Sequence, residues 1–327
     1  MRPQAFVTGG TGFVGLNLIH HLVREGWAVT ALCRPTSPRE WLDGLAVDWI
    51  EGDITDLRTW DAPVPVLPDT IFHVAGNTQM WSRHRSEQLK VHVKGTRNIV
   101  KVALEVRARR LVHVSSLAAF GLHSGLITEE TPSRGSRSAL NYVRSKALAE
   151  REVAHGRSAG LSVVTFNPGH LMGRYDTHNW SRLFKLVQQH RLPAMPPGGA
   201  SFAHVGEAVR VMAVAALHDK PQPRYVLGGA QVTYADLLRQ AIAVMGVERR
   251  AWTLPVEALH RYAQLEEWMA TVFRREPEIT REAVSLMSGN LYCNCRLAQQ
   301  DLGYQPVPMT AMLGEAWGWW RQHAASA

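Results

Sequence analysis

The chain has 327 residues, 36 Lys+Arg against 28 Asp+Glu, and 46% hydrophobic residues. That length matches two domains or one large fold with a satellite, and the ordinary globular composition excludes collagen-like, disordered and disulfide-scaffold classes. Only six of the basic residues are Lys and no basic run interleaves with aromatics, so the +8 net charge points to an anionic cofactor or substrate rather than to nucleic acid.

The N-terminus reaches a strand-like run, Ala5-Phe6-Val7, with no charged n-region or apolar h-region before it. No window approaches about 18 uninterrupted apolar residues. The expectation is a cytoplasmic protein without signal peptide or integral membrane segment. Cys33, Cys293 and Cys295 lack CxxC spacing, so neither a disulfide framework nor a metal site is indicated, and the C-x-C pair reads as inert.

In chain order, strands are predicted at Gln4–Thr8, Ala28–Cys33, Val47–Glu51, Thr70–Ala75, Arg110–Ser115 and Ser162–Asn167. Helices are predicted at Phe13–Glu25, Glu87–Arg107 and Leu140–Ala159, with Gly26 closing the first. This alternation is the pattern of βαβ units on a parallel sheet. Beyond Arg174 come a short helix, Trp180–His190, and a Pro/Gly-rich stretch, Leu192-Pro193-Ala194-Met195-Pro196-Pro197-Gly198-Gly199. A helix (Val205–His218) and a strand (Arg224–Leu227) then read as a return to the sheet. From Thr233 onward the pattern is almost entirely helical. Trp317, Trp319 and Trp320 beside Arg321 either anchor a terminal helix at a bilayer interface or, as favoured here, pack onto the second domain.

Val7-Thr8-Gly9-Gly10-Thr11-Gly12-Phe13-Val14-Gly15 joins the first strand to the first helix. In G-x-x-G-x-x-G the first glycine permits a tight turn, the second close approach to a pyrophosphate, and the third helix-on-strand packing. Phosphates sit on the helix N-terminus, where free N–H groups and the dipole favour anions. The second strand ends Cys33-Arg34-Pro35 with no acid to hold a ribose 2′-OH; Arg34 suits a 2′-phosphate and Arg39 adds charge, so NADP is favoured over NAD. Asp53 and Ile54 follow the third strand at the adenine side. Ala75, Gly76 and Asn77 follow the fourth, where small residues let a cofactor lie against the backbone.

Tyr142-x-x-x-Lys146 places phenol and ammonium one above the other on a helix face. A phenol of pKa about 10 needs a nearby cation to act as a base at neutral pH. The pair Ser115-Ser116 lies past the fifth strand, at the carboxyl edge of the sheet where ligands bind. Asn98, beside Gly95 on a helix, is placed either to pass protons through water or as a solvated side chain.

Taken in order, these motifs resemble the extended short-chain dehydrogenases/reductases. Asn167-Pro168-Gly169-His170-Leu171-Met172-Gly173, Ala203-His204-Val205, Tyr225-Val226-Leu227-Gly228-Gly229 and Leu302-Gly303-Tyr304-Gln305-Pro306 extend the resemblance over nearly the whole chain. It implies an α/β doubly wound parallel Rossmann sheet with a smaller, mainly helical C-terminal substrate domain. The expected bounds are 1–174 for the NADP-binding domain, with 199–230 returning to it, and 175–198 and 231–327 for the substrate domain. It further implies Tyr142 as general acid/base, Lys146 lowering its pKa and binding the nicotinamide ribose, Ser116 polarising a carbonyl, and Asn98 at a weaker catalytic position. Asn167, Pro168 and His170 join the cofactor residues, and Trp81, His170 and Trp180 face substrate together with Ser116 and Tyr142. A homodimer through the helices holding Asn98 and Tyr142 is also implied.

Arg34-Pro35-Thr36 resembles the corresponding segment of dihydroflavonol-4-reductase-like enzymes, and Leu117-Ala118 replace the acidic pair of sugar-nucleotide dehydratases. The leading expectation is an NADP(H)-dependent carbonyl reductase, or the reverse alcohol dehydrogenase. The alternatives are an NAD-dependent sugar-nucleotide epimerase and a non-catalytic dinucleotide sensor.

Overall fold

A computed structural model describes residues 2–64, 67–189, 195–248 and 254–323. His190 and Leu192-Pro193-Ala194, the end of one predicted helix and the start of the Pro/Gly stretch, lie outside the described residues.

Strands β1 (Gln4–Thr8), β2 (Ala28–Cys33), β3 (Val47–Glu51) and β4 (Thr70–His73) alternate with helix α1 (Phe13–Arg24) and short turns. Next comes a helical run: α2 (Arg85–Leu89), a π-helical turn (Lys90–Gly95) and α3 (Thr96–Glu105). Then follow β5 (Arg110–Val114), α4 (Asn141–Ser158), β6 (Val163–Pro168), β7 (His170–Met172), α5 (Ser181–Gln188), β8 (Gly199–His204), α6 (Val205–Leu217) and β9 (Arg224–Leu227). The C-terminal part holds β10 (Ala230–Thr233), α7 (Tyr234–Met245), α8 (Val256–Val272), α9 (Arg281–Met287), β11 (Asn290–Leu291), α10 (Arg296–Leu302) and α11 (Met309–His323).

Seven parallel strands form one sheet in the order β3-β2-β1-β4-β5-β6-β9. Residues alternate between its faces. Ala5 and Val7 pack with Leu18 and Ile19 of α1 and Val209 and Met212 of α6, whereas Phe6 packs with Ile99 and Val153 on the α3–α4 side. Strands buried on both faces need the nearly continuous apolar runs seen here. The chain reverses direction between β1 and β4, which opens the crevice where ligands bind in such sheets.

The helix and strand at 205–227 return to this sheet as the sequence predicts, but β8 does not. It pairs with β10 on one edge and with β7 and β11 on the other, in a second sheet. The C-terminal part is therefore less purely helical than its sequence pattern: β7, β10 and β11 are only two to four residues long, and β8 is rich in small residues rather than β-branched ones. Predicted helix 87–107 is also interrupted, because the Lys90–Gly95 turn is π-helical.

All three cysteines are free and buried, and burial pushes the Cys293 thiol up to about 12, which makes it unreactive. Trp319 and Trp320 are buried rather than presented to a bilayer. The Trp319 ring packs against Trp41, Tyr175 and His323, and that of Trp320 against Phe184 and Trp317. Among the described residues no helix is long and apolar enough to cross a membrane. Removing a buried Trp costs about 3 kcal/mol or more, whereas an exposed one costs within about 0.5 kcal/mol. Urea denaturation is expected to show that loss for Trp319→Ala and almost none for Trp268→Ala on α8.

Candidate active site

The turn from β1 to α1 crosses the sheet's reversal point. Gly9 has φ +73°, and a Cβ there would lie 2.6 Å from the Ala75 backbone beyond β4. A Cβ on Gly15 would lie 2.1 Å from the Gly9 carbonyl, so α1 can seat on the turn only with glycine there. Gly12, the N-cap, has no side-chain cap, and no acid stands in the first turn. The first-turn N–H groups of Phe13, Val14 and Gly15 thus lack intrahelical partners and form a cradle suited to a dinucleotide's phosphates. Thr8, expected at the cofactor, instead turns its hydroxyl to His73 Nδ1 at 2.8 Å.

At the end of β2, Arg34 is exposed. Arg39 is committed elsewhere: it pairs with Glu51 and stacks on Trp49, 5.0 Å from the ring centre. Asp53 Oδ1 accepts the Thr55 amide at 2.6 Å, and Ile54 is buried. Asn98 donates to the Ile54 carbonyl at 2.8 Å. The structure therefore places Asn98 with the Asp53–Ile54 segment, where it fixes the loop.

Those three residues do converge. Ser116 caps the Leu117–Phe120 turn, accepting the Ala118 amide at 3.2 Å, and stands beside the Tyr142 phenol. Burial pushes the phenol above its ordinary value, and the neighbouring Ser116 hydroxyl draws it partly back. Lys146 is buried one helical turn further along α4, its Nζ donating to the Val114 carbonyl at 3.3 Å. A Cβ on Gly76 would lie 3.5 Å from that Nζ, so the loop after β4 passes over the ammonium. Burial drops Lys146 to about 8, partly countered by Glu150.

Several residues that organise this centre were missed by sequence reasoning. Glu150 takes hydrogen bonds from Ser115 (2.5 Å), Asn167 (2.6 Å) and Arg224 (2.5 Å), which commits Ser115 and leaves Ser116 facing Tyr142. Asn167 also donates to the Ser116 carbonyl at 2.9 Å, so its amide braces the serine turn. Glu150 stands four residues after Lys146, a spacing that shows in the sequence. His92, in the π turn, accepts the Asn77 amide at Nε2 (2.9 Å); its Nδ1–H therefore points to Ser145 Oγ (2.8 Å), which donates to the Tyr142 carbonyl. Glu282 of α9 accepts the Tyr142 amide at 2.6 Å and that of Asn141, capping α4 where its own N-cap, Leu140, has no side-chain bond.

On the substrate side, His170, Trp180, Phe202 and Tyr234 form an aromatic wall, with His170 Nε2 2.9 Å from the Tyr234 hydroxyl. Burial lowers His170 to about 4, so it is neutral. Trp81 is buried, its ring 5.0 Å from the Arg83 guanidinium.

Because Lys146 is near 8 in the fold and 10.5 when unfolded, the unfolded chain binds the extra proton between those values. The stability of the protein is therefore expected to rise from pH 8 toward pH 10.5 through this group. Urea titrations across that range are expected to lose this rise in Lys146→Met.

Comparison with known proteins agrees with this geometry. Residues 5–228 match the NAD dependent epimerase/dehydratase family. A Synechocystis protein named as a dihydroflavonol 4-reductase is 28% identical, over 99% of this chain and 96% of its own. Sterol demethylase protein B of Methylococcus capsulatus is 28% identical, over 97% and 98% respectively. The crystal structure of gox2253 superposes with a TM-score of 0.84 at 31% identity, covering 98% of this chain and 99% of that one. The chain belongs to the NAD dependent epimerase/dehydratase family, within the extended short-chain dehydrogenases/reductases, and is an enzyme of that nicotinamide-dinucleotide-dependent superfamily.

Proposed function

We propose that this protein is an NADP(H)-dependent reductase of an apolar, ring-bearing ketone or aldehyde, with Ser116, Tyr142 and Lys146 as its catalytic residues. The observation that carries the reading is the convergence of Ser116 and the Tyr142 phenol beside a buried lysine one helical turn away. A phenol held above its ordinary pKa is protonated at neutral pH, the form that an acid for carbonyl reduction needs.

The residues present fit the dinucleotide. Gly9, Gly12 and the amides of Phe13, Val14 and Gly15 hold the pyrophosphate; Arg34 takes a 2′-phosphate; Asp53 and Ile54 flank the adenine; and Ala75, Gly76, Asn77, Asn167, Pro168 and His170 border the nicotinamide end. When bound, the cofactor supplies the hydride. Ser116 then holds the substrate oxygen by its hydroxyl, and Tyr142 gives its phenolic proton to the same oxygen. The Lys146 ammonium favours the phenolate left behind and binds the nicotinamide ribose. His92 and Glu282 keep the Tyr142 turn in place from either side.

The neutral aromatic wall of His170, Trp180 and Tyr234, together with Trp81, supports a flat apolar substrate. The names of the two relatives, a dihydroflavonol 4-reductase and a sterol demethylase protein B, point the same way. On this reading β7, β8, β10, β11 and helices α5, α7 to α9 and α11 make up the substrate domain, and the enzyme works in the cytoplasm as a homodimer through α3 and α4.

Titration of the purified protein, followed by quenching of its tryptophans, is expected to show NADPH binding at least tenfold tighter than NADH, with Arg34→Ala removing most of the difference. Equal affinity, or protein already saturated with NAD, overturns the NADP assignment and favours the epimerase. Tyr142→Phe is expected to cut ketone reduction by about 10²-fold or more while leaving NADPH affinity unchanged. Full turnover in that variant excludes Tyr142 as the acid.

A further inference from the structure

Helix α8 is built inside out. Its inward face carries two carboxylates: Glu266 and Glu267 are both buried and are paired with Arg275 (2.5 Å) and Arg281 (3.0 Å). Its outward face carries the apolar side chains. Of the eleven large hydrophobic residues exposed among the described residues, five fall between 262 and 273: Tyr262, Leu265 (52% exposed), Trp268 (62%), Val272 and Phe273 (69%). At 100° per residue Trp268, Val272 and Leu265 share the side opposite buried Leu259, Ala263 and Ala270, with Tyr262 and Phe273 along one margin. Scattered exposed apolar residues need no explanation, but a contiguous stripe marks a surface that contacts something.

The charge on this face selects among occupants. Arg261 stands within the apolar stripe, one turn after the exposed Glu257, and Arg274 directly follows Phe273 at the other end, both arginines exposed. Pairing two copies of this stripe would take the charges of Arg261 and Glu257 out of water beside Leu265, a costly arrangement. At a lipid–water boundary the same residue extends its stem over the apolar surface and keeps its head among phosphates. Trp and Tyr favour that boundary, and the net charge of +8 attracts an anionic one.

The stripe also borders a cleft at the start of α9. Trp268 lines a cleft of about 260 Å³ with Trp81, Arg83 and Arg281, and the residue after Arg281 is Glu282, which holds the Tyr142 amide. We propose that the outward face of α8, centred on Leu265, Trp268, Val272 and Phe273, docks the enzyme on an anionic lipid surface, so that an apolar substrate enters from the membrane beside Trp81. The docking goes beyond the reductase reading, and only its purpose rests on that reading.

The test is co-sedimentation with vesicles of phosphatidylcholine containing about one-fifth phosphatidylglycerol, compared with pure phosphatidylcholine. No cofactor or turnover is involved, so its failure is separable from failure of the reductase reading. The wild-type protein is expected to pellet with the anionic vesicles. Leu265→Gln with Phe273→Gln is expected to weaken partitioning at least tenfold, and Arg261→Glu to weaken it on anionic vesicles alone. Circular dichroism and unaltered reduction of a water-soluble ketone confirm that the variants are folded. A wild-type protein that stays in the supernatant, or a double variant that binds as well as wild type, overturns the proposal. So does a double variant whose lipid-free sedimentation coefficient drops, since the stripe is then a contact between copies.

Discussion

The structure around the site turns on keeping one lysine ammonium out of water. Lys146 is buried at the carboxyl end of the sheet, with His73, His92 and His113 around it, each itself buried. Burial lowers all three imidazoles, His73 to about 3, and the positive charge of Lys146 lowers them further. They stay neutral, so Lys146 is the one charged member of this four-residue cluster. The attraction that keeps Lys146 charged comes from Glu150, four residues along the same helix. Since Glu150 also receives Ser115, Asn167 and Arg224, the charge balance and the position of the serine turn are set by the same carboxylate. Losing it would affect both, because a buried charge with no partner is far costlier than a buried pair.

A second consequence concerns the C-terminal half of the chain, which does more than cover the site. The helix that carries Tyr142 and Lys146 begins without a cap of its own, and the carboxylate that satisfies its first amides arrives from α9. The segment around Arg281 and Glu282 is in turn held to α8 through Glu267. The helices α8 and α9 and the start of the Tyr142–Lys146 helix are thus one connected unit. Whatever α8 rests against is two contacts away from Tyr142.

The main sheet was legible because a two-face-buried parallel sheet imposes long apolar runs at regular intervals, and because the glycines at 9 and 15 answer to backbone contacts of 2.1–2.6 Å that admit no side chain. The second sheet was not legible, since β7, β10 and β11 are two to four residues long and are defined by pairing with β8 rather than by a pattern of their own. Ser116, Tyr142 and Lys146 could be named from spacing. Asn98 could not be placed that way: its helix contains a π turn, which rotates the residues after it relative to those before and gives His92, not Asn98, the position against Tyr142 and Ser145. Glu282 lies 140 residues from the amide it caps, a pairing that no local signal reveals.

The central claim is electrostatic: Lys146 titrates near neutrality because it is buried, and Glu150 keeps it from falling further. With six lysines in the chain, a ¹³C-labelled lysine NMR titration of the cofactor-free protein resolves each ε-carbon, and Lys146→Arg assigns the signal. The account predicts one resonance with a midpoint near 8, moving lower in Glu150→Gln. Six lysines all titrating near 10.5, or a Lys146 midpoint indifferent to Glu150, would contradict it.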